Sequence, residues 1–156
     1  MMSDIARNIA EIKYRIAEAC SKTGRNPEEV KLLLATKTVS AEGIKEAFSV
    51  GETLMGENKV QELRDKFDDL QEIPHTKHLI GHLQTNKIKD VLKCNVACIQ
   101  SLDRWDLAEK LQQRLEYEKK TIEVLVQVNT SYEESKFGLN PKEVLGFVEK
   151  VASLDR

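Results

Sequence analysis

The sequence lacks the long apolar run that a membrane-spanning helix would need. Its first residues, MMSDIARNIAEIKYRI, also lack the continuous apolar stretch of a secretory signal peptide. Neither sign of charge is in excess, because the formal net charge is only −2. Bulk electrostatics therefore offers no attraction to nucleic acid or to an anionic membrane. We predict neither as a partner.

Cysteine is scarce and irregularly spaced. Cys20, Cys94 and Cys98 are an odd number of thiols, and their spacing matches neither a CxxC motif nor a zinc ribbon. Reduced thiols of this kind are typical of a cytoplasmic protein. Cys94 and Cys98 fall around the apolar segment NVACIQ, which favours packing in the core over a redox or metal role.

The histidines are also few, and their spacing does not predict a metal site. His75, His78 and His82 run from a predicted strand into a loop, with no acidic ligand positioned nearby. We therefore predict no metal, and we expect His78 to be a strand residue with a hydrogen-bond partner.

Short apolar segments alternate with amphipathic helical patterns along the whole chain. Strands are predicted at residues 30–36, 53–56, 77–81, 96–101 and 122–129, and helices at 3–24, 40–50, 59–71, 85–93, 103–119 and from Asn140. Such alternation is typical of right-handed βαβ units and a parallel sheet. Because no linker or low-complexity tract interrupts it, we predict a single α/β domain over residues 1–156.

Two architectures fit five βα units. One is an open doubly wound sheet, which would be complete at 156 residues. The other is a (β/α)₈ barrel, which needs at least about 200 residues. Length favours the open sheet, whereas the segment ATKTVSAEG lacks the phosphate-binding glycines expected after its first strand. The residues alone leave both architectures open.

Polar residues gather where the predicted strands end, which is where ligands bind in both architectures. They are Lys37, Glu57, Asn58, His82, Gln84, Asn86, Lys87, Ser101, Asp103, Arg104, Asn129, Ser131 and Lys136. Each alone is explained by the solvation of a loop. Together, amides and imidazole outnumber carboxylates, and this balance favours an anionic ligand.

Lys37 stands where the apolar run of VKLLLATKTVS stops. It could be a solvated strand terminus. Alternatively, it could lie among hydrophobic neighbours, which would lower the pKa of its amine and leave it neutral at the rim of a pocket. A neutral amine attacks aldehydes, so the second interpretation predicts Schiff-base chemistry.

Five sequence blocks resemble the pyridoxal phosphate homeostasis proteins. They are LLLATKT, GENKVQE, HLIGHLQTNK, SLDR and VLVQVNTSYEESKFGL, and they occur in order over nearly the whole chain. The resemblance implies a parallel TIM-barrel fold of the fold-type III pyridoxal phosphate class, similar to the N-terminal barrel of alanine racemase without its second domain.

The resemblance also implies a cofactor and its binding residues. Pyridoxal 5'-phosphate would be held as an internal aldimine on Lys37, with Asn58 near the ring and His82 and Asn129 lining the same mouth. The family is regarded as a cytoplasmic carrier or regulator of vitamin B6 supply. No catalytic turnover is expected, because the second acid/base of a racemase has no counterpart among these residues.

The chain departs from the family in length. The resemblance implies truncation at the C-terminus, with about five of eight βα units present. The loops that bind the cofactor phosphate would be missing, so pyridoxal phosphate binding would be weak or absent. An open sheet edge at Val124, Val126 and Val128 predicts self-association. Two alternatives remain: a half-barrel interaction module that no longer binds pyridoxal phosphate, and an amino-acid racemase, which the absence of a second base disfavours.

Overall fold

The computed structural model describes residues 3–155, and within them seven α-helices accompany five parallel strands. The helices are α1 Asp4–Thr23, α2 Ala41–Ser49, α3 Val60–Asp65, α4 Phe67–Leu70, α5 Ile88–Lys93, α6 Trp105–Glu118 and α7 Val144–Val151. The strands are β1 Leu34–Ala35, β2 Leu54–Glu57, β3 Thr76–Leu79, β4 Cys98–Leu102 and β5 Glu123–Val126. Short 3₁₀ turns occupy Pro27–Glu29, Thr85–Lys87 and Pro141–Glu143.

The strands are ordered in the sheet as they are in the chain. Each of β1 to β4 pairs in parallel with the next, giving the order β1-β2-β3-β4-β5. A doubly wound sheet reverses its strand order at a switch point, whereas a barrel does not. Right-handed crossovers between sequential neighbours place every crossover helix on one face. The architecture is thus the barrel type, and within residues 3–155 five of its strands form a sheet with β1 and β5 at the edges.

Helix α1 begins and ends as its sequence predicts. The Ser3 hydroxyl accepts a hydrogen bond from the Ala6 amide at 3.2 Å, and Gly24 closes the last turn with a left-handed φ of 66°. Along residues 3–155, no helix is both long enough and apolar enough to cross a membrane.

The main core lies between the sheet and the helices that cover one of its faces. Leu79 of β3 and Ile99 of β4 are fully buried there against Leu107, Leu111 and Leu115 of α6. Burial of each such side chain contributes about 1.5–3 kcal/mol. The three leucines therefore form the inward face of α6 that their spacing predicts. All three cysteines of the chain are free and buried, and Cys94 belongs to this core as predicted.

The first strand is shorter than predicted. Residues 30–36 are apolar enough for a strand, but only Leu34–Ala35 pair with β2, in the register Leu34 to Met55. In that register, residues before Leu33 extend past the beginning of β2 at Leu54, so they have no strand to pair with. The prediction of a strand from residue 30 was wrong for this reason.

The predicted helix over residues 59–71 is broken into α3 and α4. Leu63 and Leu70 are buried on one face as expected. Lys66 separates the two helices and turns its ammonium group towards the ends of β1 and β2. The helix therefore breaks at a lysine that is held by tertiary contacts.

The edge at β5 is less open than predicted. Val124 packs into the core beneath the helices, and Val128 forms a parallel bridge with Leu139. The Leu139 amide donates to the Gln127 carbonyl at 2.8 Å, and its carbonyl accepts from the Asn129 amide at 2.9 Å. The prediction of a free edge was therefore wrong at Val128, since the returning loop covers it.

The other face of the sheet carries no helix of the βα units, and we call it the open face. It presents side chains that alternate with those of the core, among them His78, Gln100, Glu123 and Leu125. Gln100 Nε2 and His78 Nδ1 lie 2.7 Å apart, which confirms the predicted partner for the strand histidine. Leu125 is 52% exposed.

Candidate functional site

Lys37 lies where the sequence places it, in the turn that follows β1 at the carboxyl rim of the sheet. Its side chain is exposed, so the prediction of an amine sheltered among hydrophobic neighbours is wrong for this structure. The reason is topological. Strand β1 is an edge strand with β2 on one side only, and within residues 3–155 no strand flanks its other side. The amine is therefore accessible to a ligand in solution.

The residue before Lys37 is fixed by backbone and side-chain hydrogen bonds. Thr36 is buried, and its amide donates to the Gly56 carbonyl at 3.0 Å. Its carbonyl accepts from the Val39 amide at 3.0 Å and from Lys66 Nζ at 2.8 Å. Its hydroxyl donates to Glu57 Oε1 at 2.7 Å. The backbone that carries Lys37 is thus anchored, although the lysine side chain is free.

Glu57, the last residue of β2, carries a fully buried carboxylate. Its Oε1 atom accepts from Lys66 Nζ at 2.7 Å as well as from the Thr36 hydroxyl. An ammonium group at this distance compensates the cost of burying the charge. Removing one partner of such a pair typically costs about 3–5 kcal/mol, because the other charge is left buried alone.

A second carboxyl group meets Glu57 from α3. Hydrogen bonding with Glu57 is the main cause that raises the pKa of Glu62, and burial acts in the same direction. Lys66 and Lys59 oppose that change. A hydrogen bond between two carboxyl groups needs one proton, because a protonated group donates and an ionised group accepts. The four side chains Thr36, Glu57, Glu62 and Lys66 form what we call the rim cluster.

Asn58 and His82 meet at one cleft of the rim. The cleft has a volume of about 370 Å³ and is also lined by Lys59, Arg64 and Lys87. Its two sides approach closely at Gly81, where a Cβ atom would lie 2.1 Å from the Asn58 carbonyl oxygen. The loops after β2 and β3 can approach this closely because residue 81 has no side chain.

His82 stacks on an aromatic ring that the sequence analysis did not consider. The rings of His82 and Phe137 are 3.8 Å apart between centroids and inclined by 17°. His82 Nδ1 lies 3.9 Å from Asp103 Oδ2, and this nitrogen is buried without a hydrogen-bond donor or acceptor among residues 3–155. Phe137 comes from the loop after β5, so His82 connects the third loop of the rim to the fifth.

Asn129 organises the loop that carries Phe137. Its Nδ2 atom donates to the Glu133 carbonyl at 2.9 Å, and its Oδ1 atom accepts from the Ser131 hydroxyl at 3.2 Å. Gly138 has a φ of 119°, and a Cβ atom there would lie 2.7 Å from the Asn129 amide. Asn129 therefore holds the shape of the loop that carries Phe137.

The structure brings the four predicted cofactor-binding residues to one rim, but not to one pocket. Asn58 and His82 line the same cleft, whereas Lys37 and Asn129 lie outside its lining. Sequence reasoning missed Thr36, Glu62, Lys66 and Phe137. The signal for Lys66 was a cation beside the apolar face of the predicted helix 59–71, while Phe137 stood in a polar loop with no periodic pattern.

A larger cavity of about 970 Å³ lies at the opposite end of the sheet. It is lined by α1 and by residues at the starts of strands, including Leu54, Thr76 and Glu123. Ligands of parallel α/β barrels bind at the carboxyl ends of the strands. We therefore assign the candidate site to the carboxyl rim and not to this cavity.

Two of the matching relatives cover nearly the whole chain. It is 39% identical to the pyridoxal phosphate homeostasis protein of Escherichia coli (strain K12), over 99% of the chain and 67% of that protein. It is 38% identical to the protein of the same name from Aquifex aeolicus, over 94% of the chain and 64% of that protein. The chain thus spans about two thirds of the length of these relatives. No family model matches it.

Solved structures agree with these relatives. An unknown protein from Bifidobacterium adolescentis matches with a TM-score of 0.87 and 34% identity, over 99% of the chain and 68% of that structure. PipY of Synechococcus elongatus, crystallised with pyridoxal phosphate bound, matches with a TM-score of 0.78 and 27% identity, over 97% of the chain and 66% of that structure.

An alanine racemase from E. faecalis, at 17% identity and a TM-score of 0.64 over 92% of this chain and 38% of that structure, shares the fold alone. The barrel-type fold and the resemblance read from the sequence blocks are therefore both confirmed. The chain belongs to the pyridoxal phosphate homeostasis protein family.

Proposed function

We propose that this chain binds pyridoxal 5'-phosphate through Lys37 and serves the supply of that cofactor. The observation that carries the proposal is the position of Lys37, which follows β1 at the rim where ligands of this fold bind. The PipY structure with pyridoxal phosphate bound supports it, because PipY matches 97% of the chain. The three free, buried cysteines support a cytoplasmic location.

The residues present offer an amine to the aldehyde of such a ligand and cations to its phosphate. When bound, the cofactor supplies an aldehyde, whose carbon joins Lys37 Nζ through a C=N bond with release of one water. The amine is accessible for this step, and the anchored Thr36 holds its backbone. Asn58 and His82 supply polar atoms to the cleft, whose lining has a net positive charge because Lys59, Arg64 and Lys87 outnumber the carboxylate of Asp90. Contacts to the ring are assigned to Asn58, and His82 and Asn129 shape the mouth.

We expect borohydride treatment of the chain with pyridoxal phosphate to fix one pyridoxyl group, and peptide mapping to place it on Lys37. Before reduction, a visible absorbance band should rise with cofactor concentration, and the reduction should remove it. The many other exposed lysines provide an internal control, since they should be labelled only at a low and uniform level. A label spread evenly over the surface lysines would contradict the assignment.

We propose binding without turnover. The names of the relatives support this, because they describe homeostasis proteins and not racemases or decarboxylases. An assay with D- and L-amino acids should show no racemisation above that of free pyridoxal phosphate.

A second role, as an interaction module, is favoured by one observation. The sheet has β1 and β5 at its edges in residues 3–155, and Leu125 of β5 is 52% exposed on the open face. Exposed apolar strands at a sheet edge are templates for association. We propose that two copies of the chain associate through this region, independently of the cofactor.

Leu125→Lys is expected to weaken this self-association. A charge at an edge strand opposes pairing, because the ammonium group would be desolvated in the interface. Sedimentation velocity over a range of concentrations should show a shift towards the monomer by about tenfold or more in dissociation constant. Tyr117→Lys is the matched control, since Tyr117 is 78% exposed on α6. A compact monomer at all concentrations in the unmodified chain would contradict the proposal.

A further inference from the structure

We propose that the rim cluster is a positioning device for Lys37, and that a proton shared between Glu57 and Glu62 keeps it closed. The proposal deepens the proposed function and rests on it for its consequence for the cofactor. Its geometric part stands on the hydrogen bonds among Thr36, Glu57 and Lys66, and on the buried, unpartnered oxygens of Glu57 and Glu62.

The cluster connects α3 to the residue before Lys37. Lys66 Nζ donates to two acceptors, the Thr36 carbonyl at 2.8 Å and Glu57 Oε1 at 2.7 Å. The Thr36 hydroxyl donates to the same Oε1 atom at 2.7 Å. These three bonds close a ring through Thr36, Glu57 and Lys66. The position of Lys37 along the rim is therefore set by a buried carboxylate and a lysine from another element.

The second oxygen of Glu57 identifies the role of Glu62. Glu57 Oε2 is buried and has no donor among residues 3–155, and the same is true of Glu62 Oε2. Both atoms are satisfied if one proton lies between them, because a protonated carboxyl group donates and an ionised one accepts. The proton leaves a single negative charge on the pair, which matches the single positive charge of Lys66.

Loss of that proton would unbalance the cluster. Contact with Glu57 raises the pKa of Glu62, and Lys66 and Lys59 are the cations that oppose this change. Below the pKa of Glu62 in the folded chain the proton is held, and above it two carboxylates face one ammonium group. Their repulsion separates α3 from β2 and weakens the hold of Lys66 on the Thr36 carbonyl. The anchor is therefore present at lower pH and is released as pH rises through the pKa of Glu62.

Amide hydrogen exchange tests the device without any cofactor. The amides of Thr36 and Val39 report on the anchor, since each takes part in a hydrogen bond of Thr36. After correction for intrinsic rates, their protection in the unmodified chain should fall as pH rises through the pKa of Glu62. Glu62→Gln keeps a donor opposite Glu57 at every pH and should abolish this dependence. Glu72→Gln removes the same charge at an exposed site and should behave as the unmodified chain does.

Thr36→Val is the second variant, because it removes the hydroxyl bond with little change in volume. We expect protection at Val39 to fall about fivefold, as for the loss of one hydrogen bond. Protection that does not change with pH in the unmodified chain would overturn the proposal. The same conclusion would follow if Glu62→Gln kept the pH dependence, or if Thr36→Val left Val39 as protected as before.

The rate at which borohydride fixes pyridoxal phosphate on Lys37 separates this proposal from the proposed function. In the unmodified chain the rate, divided by that of an exposed surface lysine, should change with pH where protection changes, and in Glu62→Gln it should not. If no form of the chain labels Lys37, the proposed function fails, and hydrogen exchange still decides whether the cluster holds Thr36. If labelling occurs but its pH profile is the same in Glu62→Gln, the positioning role is overturned.

Discussion

Lys37→Ala is expected to abolish the site-specific fixation of pyridoxal phosphate, reducing the label on peptides around residue 37 to background. The reason is chemical, since alanine has no amine to condense with the aldehyde. The fold should be retained, because the Lys37 side chain is exposed and carries no contact of the core. The measurement is the yield of pyridoxyl peptide after borohydride reduction, together with the loss of the visible absorbance band.

Two further variants make this result specific. Lys37→Arg keeps the positive charge but does not form the C=N bond, so it should also lose the fixed label while retaining the electrostatic part of the affinity. Lys110→Ala removes an exposed lysine of α6, away from the rim, and should label as the unmodified chain does. Equal labelling of Lys37→Ala and the unmodified chain would show that another amine holds the cofactor.

Gly81→Ala is expected to destabilise the fold by about 3 kcal/mol, at the upper end of the cost of overpacking. The added Cβ atom would lie 2.1 Å from the carbonyl oxygen of Asn58 and 2.8 Å from its carbonyl carbon. Both are backbone atoms, so the strain cannot be relieved by rotating a side chain. The loops after β2 and β3 would have to separate, and with them the two predicted residues of the cleft, Asn58 and His82.

Urea denaturation with a constant m-value would measure this change as a lower midpoint. Gly146→Ala is the matched control, because a Cβ atom there meets nothing within 4 Å and residue 146 lies inside helix α7. Alanine is favoured over glycine in a helix by about 0.8–1.0 kcal/mol, so the control should be slightly stabilised. A Gly81→Ala variant as stable as this control would mean that the two loops are not in contact.

Most elements of the fold could be predicted from the sequence because their signals are local. The caps at Ser3 and Gly24 bound α1, and the leucines of α6 recur at a helical period and are buried as that period requires. The choice between a barrel and an open sheet could not be made from local sequence signals. It depended on strand order, which no composition or period encodes, and only the family resemblance decided it before the structure.

The errors in the fold all arise from contacts between distant parts of the chain. The start of β1 was predicted too early because the register with β2, and not the apolar run, limits pairing. The helix over residues 59–71 is interrupted at Lys66, whose ammonium group bonds to Glu57 and Thr36. Val128 is covered because the chain returns to it at Leu139, eleven residues later.

The candidate site could be predicted as a set of residues but not as a geometry. Lys37, Asn58, His82 and Asn129 were identified from blocks of sequence, and all four lie after strands at one rim. Asn58 and His82 line a cleft, Lys37 presents an exposed amine, and the amide of Asn129 organises a loop. This arrangement follows from packing between loops. The predicted burial of the Lys37 amine required a second strand beside β1, and within residues 3–155 β1 is paired only with β2.

The sequential order of the strands has a practical consequence for labelling. Every turn that leads from a helix into a strand lies at the end of the sheet opposite the rim, so a group attached there points away from Lys37. Ser49 closes α2 in such a turn and is exposed. Because all three native thiols are buried, a cysteine introduced at Ser49 would be the reactive one, and a fluorophore or a solid support could be coupled to it with the rim left facing solution.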